Sequence, residues 1–319
     1  MKTLKQLSLF ALAGSIAFWS PAGAERVVTL GTAAPGSLTK YAGSALAKVM
    51  KETRGTEVRV QPFAGSGPLV ALVQQKKLDF CIVNVFELDQ AMKGAPPYES
   101  KATDLRVVSS IFQSYVGFLV AKNSPITSLS DLSGKNIPSG YSAAPIIEPM
   151  RKAIMANAGI TDDKVNLVPV PNSIRTGDLL QQGRVDIAFL SIGSAKVAEL
   201  DASMGGVRFL SLSGEPKAVE AMQKVMPQAL ASPLAAAPSR AGIIDGTRVL
   251  GYDFLLVAHK DADPNLIRTG VDVLQRERKA LAAALPAFGS LTIDRMAGVP
   301  GLPYHPAAID AYKQLGVMK

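Results

Sequence analysis

Residues 58–83 read VRVQPFAGSGPLVALVQQKKLDFCIV, and residues 165–190 read VNLVPVPNSIRTGDLLQQGRVDIAFL. The two stretches align without a gap at an offset of 107 positions, Val58 on Val165. Pro62 falls on Pro169, Ser66 on Ser173, Gln74-Gln75 on Gln181-Gln182 and Asp79 on Asp186. Apolar positions recur by chance, but a Pro, a Ser, a Gln pair and an Asp in one register rarely do. Each copy reads as strand, loop, helix, turn, strand. A chain that builds one α/β unit twice is expected to have two similar lobes, and a cleft between lobes is a common place for a small ligand.

The chain has 319 residues, of which 48% are hydrophobic, enough for two domains of ordinary size. The first 24 residues carry a leader pattern: Lys2 and Lys5, an apolar run from Leu7 to Trp19, and Ala22-Gly23-Ala24. That predicts a cleaved secretory signal, too short to serve as a membrane anchor. Cleavage after Ala24 removes both lysines and takes the formal charge from +8 to +6. The remaining basic residues are dispersed, so no nucleic-acid patch is expected, while organic anions are mildly favoured as ligands.

Cys81 is the single cysteine, so an intrachain disulfide is excluded. It lies in the apolar run Phe80-Cys81-Ile82-Val83 and reads as a buried, inert thiol. The two histidines, His259 and His305, stand 46 positions apart and with one Cys make no metal-ligand cluster. No P-loop, no GxGxxG after a strand and no GxSxG elbow occurs. Ser37-Leu38-Thr39-Lys40 fits SxxK, but the companion motifs of the Ser-nucleophile enzymes are missing. No cofactor, no metal and no catalytic residue is expected.

Along the chain, residues 26–30 read as a first strand that breaks at Gly31 to Ser37, with Ser37 capping a helix through Met50. Leu105 to Ile111 and Tyr115 to Lys122 read as two strands. A near copy of the second, Tyr252 to Lys260, returns much later, so the two are expected to be hinge strands. Asp79 and Asp186 read as turn residues. Residues 228–248 read as irregular and residues 265–284 as one helix. The fold class is therefore α/β: a two-lobed binding protein (type II-like), two βαβαβ lobes joined by hinge strands. The expected division is residues 1–24 signal, 25–118 with 253–319 a discontinuous first lobe, and 119–252 the second.

Three motifs give the chain a familiar look. They are the Gly31-Thr32 loop leading to Gly43-Ser44-Ala45-Leu46-Ala47, the Gly65-Ser66 loop leading to Leu78-Asp79-Phe80, and Tyr304-His305-Pro306-Ala307-Ala308-Ile309 with Tyr312. In these the mature chain resembles the TAXI-type solute receptors of tripartite ATP-independent periplasmic (TRAP) transporters, and Ser66 matches a family serine facing the ligand. It departs where Tyr141-Ser142-Ala143-Ala144-Pro145-Ile146-Ile147 replaces a loop usually rich in Gly, Ser and Thr, and where Ala307 replaces a Gly. The aliphatic loop points to a ligand with an apolar part.

The resemblance implies a monomeric periplasmic receptor that closes on a small organic solute, an organic anion or amino acid, and delivers it to TRAP membrane subunits. Loop position nominates Thr32, Ser37, Lys40, Ser66 and Asn84 on the first lobe, and Tyr141, Ser142, Asn172, Ser173 and Ser191 on the second. Lys40 would pair with a carboxylate. The alternatives are a binding protein of an ABC importer, a membrane-kinase sensor, and a secreted hydrolase using Ser37 and Lys40.

Overall fold

The computed structural model describes residues 27–318 apart from 36, 64, 65, 97, 99 and 143, and the side chains of Ser66 and Gly67 are also outside the described set. The signal expected over residues 1–24 lies outside the described residues. The first unit runs β1 (Val28–Thr32), α1 (Leu38–Arg54), β2 (Val58–Pro62), α2 (Ser66–Gln74) and β3 (Phe80–Asn84). After α3 (Val85–Lys93), the long strand β4 (Leu105–Ala121) leads to a second unit. That unit holds β5 (Asn136–Ser139), α4 (Ile147–Asn157), β6 (Asn166–Pro169), α5 (Ser173–Gln181) and β7 (Ala188–Ser191). Next come α6 (Ala195–Ser203), β8 (Val207–Phe209), α7 (Pro216–Val225) and β9 (Leu230–Leu234). β10 (Thr247–His259) returns to the first unit, which α8 (Pro264–Arg276), α9 (Arg278–Ala284), α10 (Ile293–Ala297) and α11 (Pro306–Gln314) complete.

The repeat in the sequence is a repeat in space. Thr29 pairs Arg59 and Thr32 pairs Pro62 where the parallel strands β1 and β2 meet. In the second unit Asn136 pairs Asn166 and Ser139 pairs Pro169, each residue 107 positions on. Helices α2 and α5 begin and end at equivalent residues, Ser66 to Gln74 and Ser173 to Gln181. The long strands attach equivalently too: Phe254 of β10 pairs Asn84 of β3, and Val116 of β4 pairs Ser191 of β7, both antiparallel.

Among the described residues, eight strands form one mixed sheet in the order β2-β1-β3-β10-β4-β7, with β8 on β4 and β9 on β10. β5 and β6 make a separate parallel pair. The second unit is thus not a full copy: β7 takes β4 as its ladder partner and leaves β5, whereas β3 keeps both β1 and β10. β3 is an unbroken apolar run because helices or strands cover it on every side, and Phe80, Cys81, Ile82 and Val83 are all buried. Burying each large side chain of this kind contributes about 1.5–3 kcal/mol. Burial also pushes the Cys81 thiol well above its ordinary range, so it has no nucleophilic character near neutral pH.

Three local expectations change. β4 is one strand of 17 residues, because Phe112 and Gln113 continue the ladder opposite Phe254 and Asp253 instead of turning. Residues 228–248 contain β9, whose one ladder partner among the described residues is β10; Pro233 is tolerated on such an edge. The helix expected over residues 265–284 breaks at Glu277, the C-cap of α8 and N-cap of α9, whose side chain receives a hydrogen bond from Arg54 at 3.3 Å.

Candidate functional site

A cavity of about 550 Å³ opens where the start of α1 faces the start of α4. This is within the usual range for small-molecule sites. From the first unit come Ser37, Leu38 and Thr39; from the second come Ala144, Pro145 and Ile146, each residue displaced by the same 107 positions. The two lips are therefore the same place in the two copies. One carries hydroxyls and the other is aliphatic. The floor is the end of β3 (Ile82, Val83, Asn84) with Phe254 beside it on β10, and Leu69 of α2 closes one side. Glu87 and Gln90 of α3, followed by Pro96 and Tyr98, form the remaining wall.

Local chemistry explains why these loops hold their shape. Ser37 caps α1: its backbone is extended, and its Oγ accepts from Lys40 N at 3.2 Å. Thr39 Oγ1 accepts from Ala33 N at 3.1 Å and is hydrogen-bonded to Ser37 Oγ at 3.1 Å, which ties the β1–α1 loop to the helix start. At the end of β3, Asn84 Oδ1 accepts from Glu87 N at 2.9 Å, and Asn84 Nδ2 donates to Glu87 Oε2 at 2.6 Å. Asn84 thus caps α3 while its side-chain amide is held by Glu87, and the Glu87 carboxylate is the charged group among the described cavity residues.

Of the residues nominated by loop position, Ser37 and Asn84 line the cavity. Thr32 is fully buried beneath α1, its Oγ1 donating to Ala33 O at 3.2 Å and its methyl packed where Gly43 leaves room. Lys40 turns along the helix, and its Nζ donates to Ser44 Oγ at 2.9 Å. Consequently the Ser37–Lys40 pair of a hydrolase is not assembled. Ser66 begins α2, and its side chain is outside the described residues.

The second-unit nominees are not among the cavity residues. Tyr141 is fully buried in the left-handed region at φ 35°, donates its hydroxyl to Pro138 O at 3.2 Å and meets Phe189 edge-on at 5.9 Å. Burial drives its phenol pKa upward, and its role is to hold the loop. Ser142 and Ser191 are exposed. Asn172 caps α5 by accepting from Arg175 N at 3.0 Å, and Ser173 is the first residue of that helix. Nearby, Glu148 Oε2 accepts the Gly140 N–H at 2.9 Å, and the fully buried Arg151 joins Glu148 to Asp162. Asp162 is held below the usual carboxylate range by its hydrogen bond from Arg151.

Loop reading missed Thr39, Glu87, Gln90, Tyr98 and Phe254. For Glu87 a signal exists, since Asn84-x-x-Glu87 is the spacing of a reciprocal cap after an apolar strand. Gln90 follows from Glu87 one turn on along α3. Phe254 and Tyr98 reach the cavity through tertiary packing, which no local pattern announces. Among the described residues, no group of three or more His, Cys, Asp or Glu is placed to hold a metal, and no helix is long and apolar enough to cross a membrane.

Comparison with known proteins supports the architecture. The model of a family described as NMT1-like matches residues 30–316. Among solved structures, a TctC solute binding protein from Polaromonas, determined without ligand, superposes with a TM-score of 0.53 at 13% identity, covering 90% of this chain and 87% of that one. PhnD1 from Prochlorococcus marinus, in complex with methylphosphonate, gives 0.49 at 14% identity over 92% of this chain and 100% of its own. The periplasmic aliphatic sulphonate binding protein SsuA from Escherichia coli gives 0.46 at 16% identity, with 91% and 84% covered. The likeness to the TctC protein is one of fold, and the chain has the same mixed α/β two-domain binding-protein architecture.

Proposed function

The chain belongs to the NMT1-like family, and we propose that it is an extracytoplasmic solute-binding receptor. The observation that carries the reading is the cavity between equivalent helix starts, Ser37 to Thr39 on one unit and Ala144 to Ile146 on the other. A solute seated there touches both units at once. Binding then favours whichever arrangement brings the lips together, which is how a ligand shifts a hinge equilibrium.

In this reading residues 25–118 and 253–319 move as one lobe against residues 119–252, and β4 with β10 supply the hinge. Ser37 and Asn84 are the nominated residues kept as ligand contacts, with Glu87, Gln90 and Tyr98 added. The mature protein is a periplasmic monomer, exported through the leader at residues 1–24, and acts by binding and not by catalysis. The resemblance to TAXI receptors makes a TRAP membrane component the partner that receives the solute.

The test is a thermal-shift screen of residues 25–319, refolded to strip captured ligand, against amino acids, amines, mono- and dicarboxylates, 2-oxo acids, aromatic acids and sulfonates. A receptor shows a concentration-dependent rise in melting temperature with at least one class, because a ligand of the native state alone stabilises it. A flat response to every class contradicts the reading.

A further inference from the structure

We propose that the solute carries a cationic, hydrogen-bond-donating head, an ammonium, on an apolar body, with Glu87 receiving the head. This rests on the receptor reading and assigns the chemical class that the cavity takes. The chain as a whole has a formal charge of +8, yet the charge on the cavity wall is the Glu87 carboxylate, and no Lys or Arg is among the described lining residues. The nearest lysine in sequence to the α1 lip, Lys40, spends its ammonium on Ser44.

Helix starts usually favour anions through their exposed N–H groups. Here the protein's own oxygens already serve two such groups and two amides in the loops before the helices. Lys40 N is taken by Ser37 Oγ, Glu87 N by Asn84 Oδ1, Ala33 N by Thr39 Oγ1 and Gly140 N by Glu148 Oε2. A ligand carboxylate would approach Glu87, a like charge in a partly desolvated site. An ammonium instead adds a charge-assisted contact to a carboxylate that already accepts from Asn84 Nδ2 at 2.6 Å and whose two oxygens each take more than one donor, with Gln90 and Tyr98 on the same wall as further polar groups. The body of the ligand lies on Leu38, Leu69, Ile82, Val83, Ile146 and Phe254, which bury apolar surface without offering any polar group from their side chains.

The test uses the mature protein and two matched series: alkyl- and arylalkyl-amines, and carboxylates of the same length and shape. Titration calorimetry should show amines binding at least about ten-fold tighter than their matched acids, the scale of one charge-assisted contact. Glu87→Gln should remove most of that preference while leaving the circular dichroism spectrum unchanged. Equal or tighter binding of the carboxylates overturns the charge assignment and leaves a receptor in place. Failure of both series also overturns it, and the receptor reading itself falls only if the broader screen is flat. An amine preference that survives intact in Glu87→Gln shows that Glu87 is not the group receiving the head.

Discussion

Asp79 and Asp186 do the same work in the two copies of the repeat. Asp79 Oδ2 accepts the Thr29 N–H and hydroxyl, both at 2.8 Å, and Asp186 Oδ2 accepts the Asn136 N–H at 2.7 Å. Each carboxylate sits just before the last strand of its unit and binds the first strand 50 residues earlier. Thr29 and Asn136 are themselves equivalent at the offset of 107. The turn aspartates thus clamp strand to strand, a longer reach than the local turn bonding that Asp in such a position suggests.

Asp79→Ala and Asp186→Ala should therefore each lower unfolding stability by about 1.5–3 kcal/mol, the usual size for a hydrogen bond to a charged group. Because the two aspartates clamp different pairs of strands, the double variant should lose about the sum. Urea unfolding followed by circular dichroism measures this. A loss confined to one of the two sites would show that the copies are not energetically equivalent.

Gly31 sits on β1 where a Cβ would meet Leu69 Cδ2 and Leu78 Cδ1, both at 2.6 Å. Leu69 and Leu78 are buried, and Leu69 also lines the cavity. Gly31→Ala should cost about 1–3 kcal/mol through overpacking. It should also push Leu69 toward the cavity and weaken solute binding. Wild-type stability together with wild-type affinity would contradict the close approach.

Asp253 lies on β10 between its pairings with the first and second units, and Arg295 Nη2 donates to its Oδ1 at 3.0 Å. Burial raises the Asp253 pKa, and the Arg295 charge opposes that rise. Arg295→Met should cost about 2 kcal/mol at neutral pH, less than for a fully buried pair because Arg295 is one-third exposed. The sign follows from the raised folded-state value. The folded protein holds the proton more tightly than the unfolded chain, so stability is regained as the pH falls through that folded value toward the ordinary 3.8. The gap between variant and wild type should narrow with acid. A gap that widens would place the variant's cost elsewhere.

Both histidines bear on the same pH range. His259 Nδ1 accepts from Asp261 N at 3.1 Å and His305 Nδ1 from Ala307 N at 3.2 Å, the second as the N-cap of α11. Burial lowers both pKa values below 6.5. The stability these neutral rings contribute is present above 6.5 and is lost as the pH falls through the depressed folded values, since a proton on Nδ1 removes the acceptor. Thermal melts of wild type and His305→Asn, whose side chain also caps a helix, should converge as the pH drops below 6.5. A constant difference across the range would exclude titration at His305.

Much of the architecture was legible because the repeat states it twice. A Gln pair and an Asp at one offset are enough to mark β2-α2-β3 and β6-α5-β7, and the offset extends to β1 and β5 through Thr29 and Asn136. What stayed hidden depends on distant partners. β9 is a weak, Pro-containing strand that exists because β10 offers an edge, and β4 runs straight through Gln113 because Asp253 sits opposite. The second unit lacks a ladder between β5 and β7, although β7 pairs a long strand just as β3 does, and no local pattern announces that difference.

The site was legible by place more than by residue. The β1–α1 loop and the end of β3 do reach the cavity, at Ser37 and Asn84. Yet Ser and Asn at helix starts are favoured equally by capping and by ligand contact, and Asn172 caps α5 without being among the cavity residues. Polar character in a loop therefore overcounts ligand groups. Conversely Phe254, in a strand from the far end of the chain, and Glu87, inside a helix, are passed over by any rule that looks at loops.

Solute is expected to bind between the two copies of the repeat. The chain's one tryptophan is Trp19, so residues 25–319 contain none. Ile146→Trp places a single indole on the second-unit lip, and Leu315→Trp places a control on an exposed position away from the cavity. Each variant is titrated with a ligand that raises the melting temperature of the parent protein. Indole emission from the Ile146→Trp variant should change saturably, and the signal from the Leu315→Trp control should stay constant. A ligand that stabilises the protein while leaving the emission at position 146 unchanged would contradict binding between the copies.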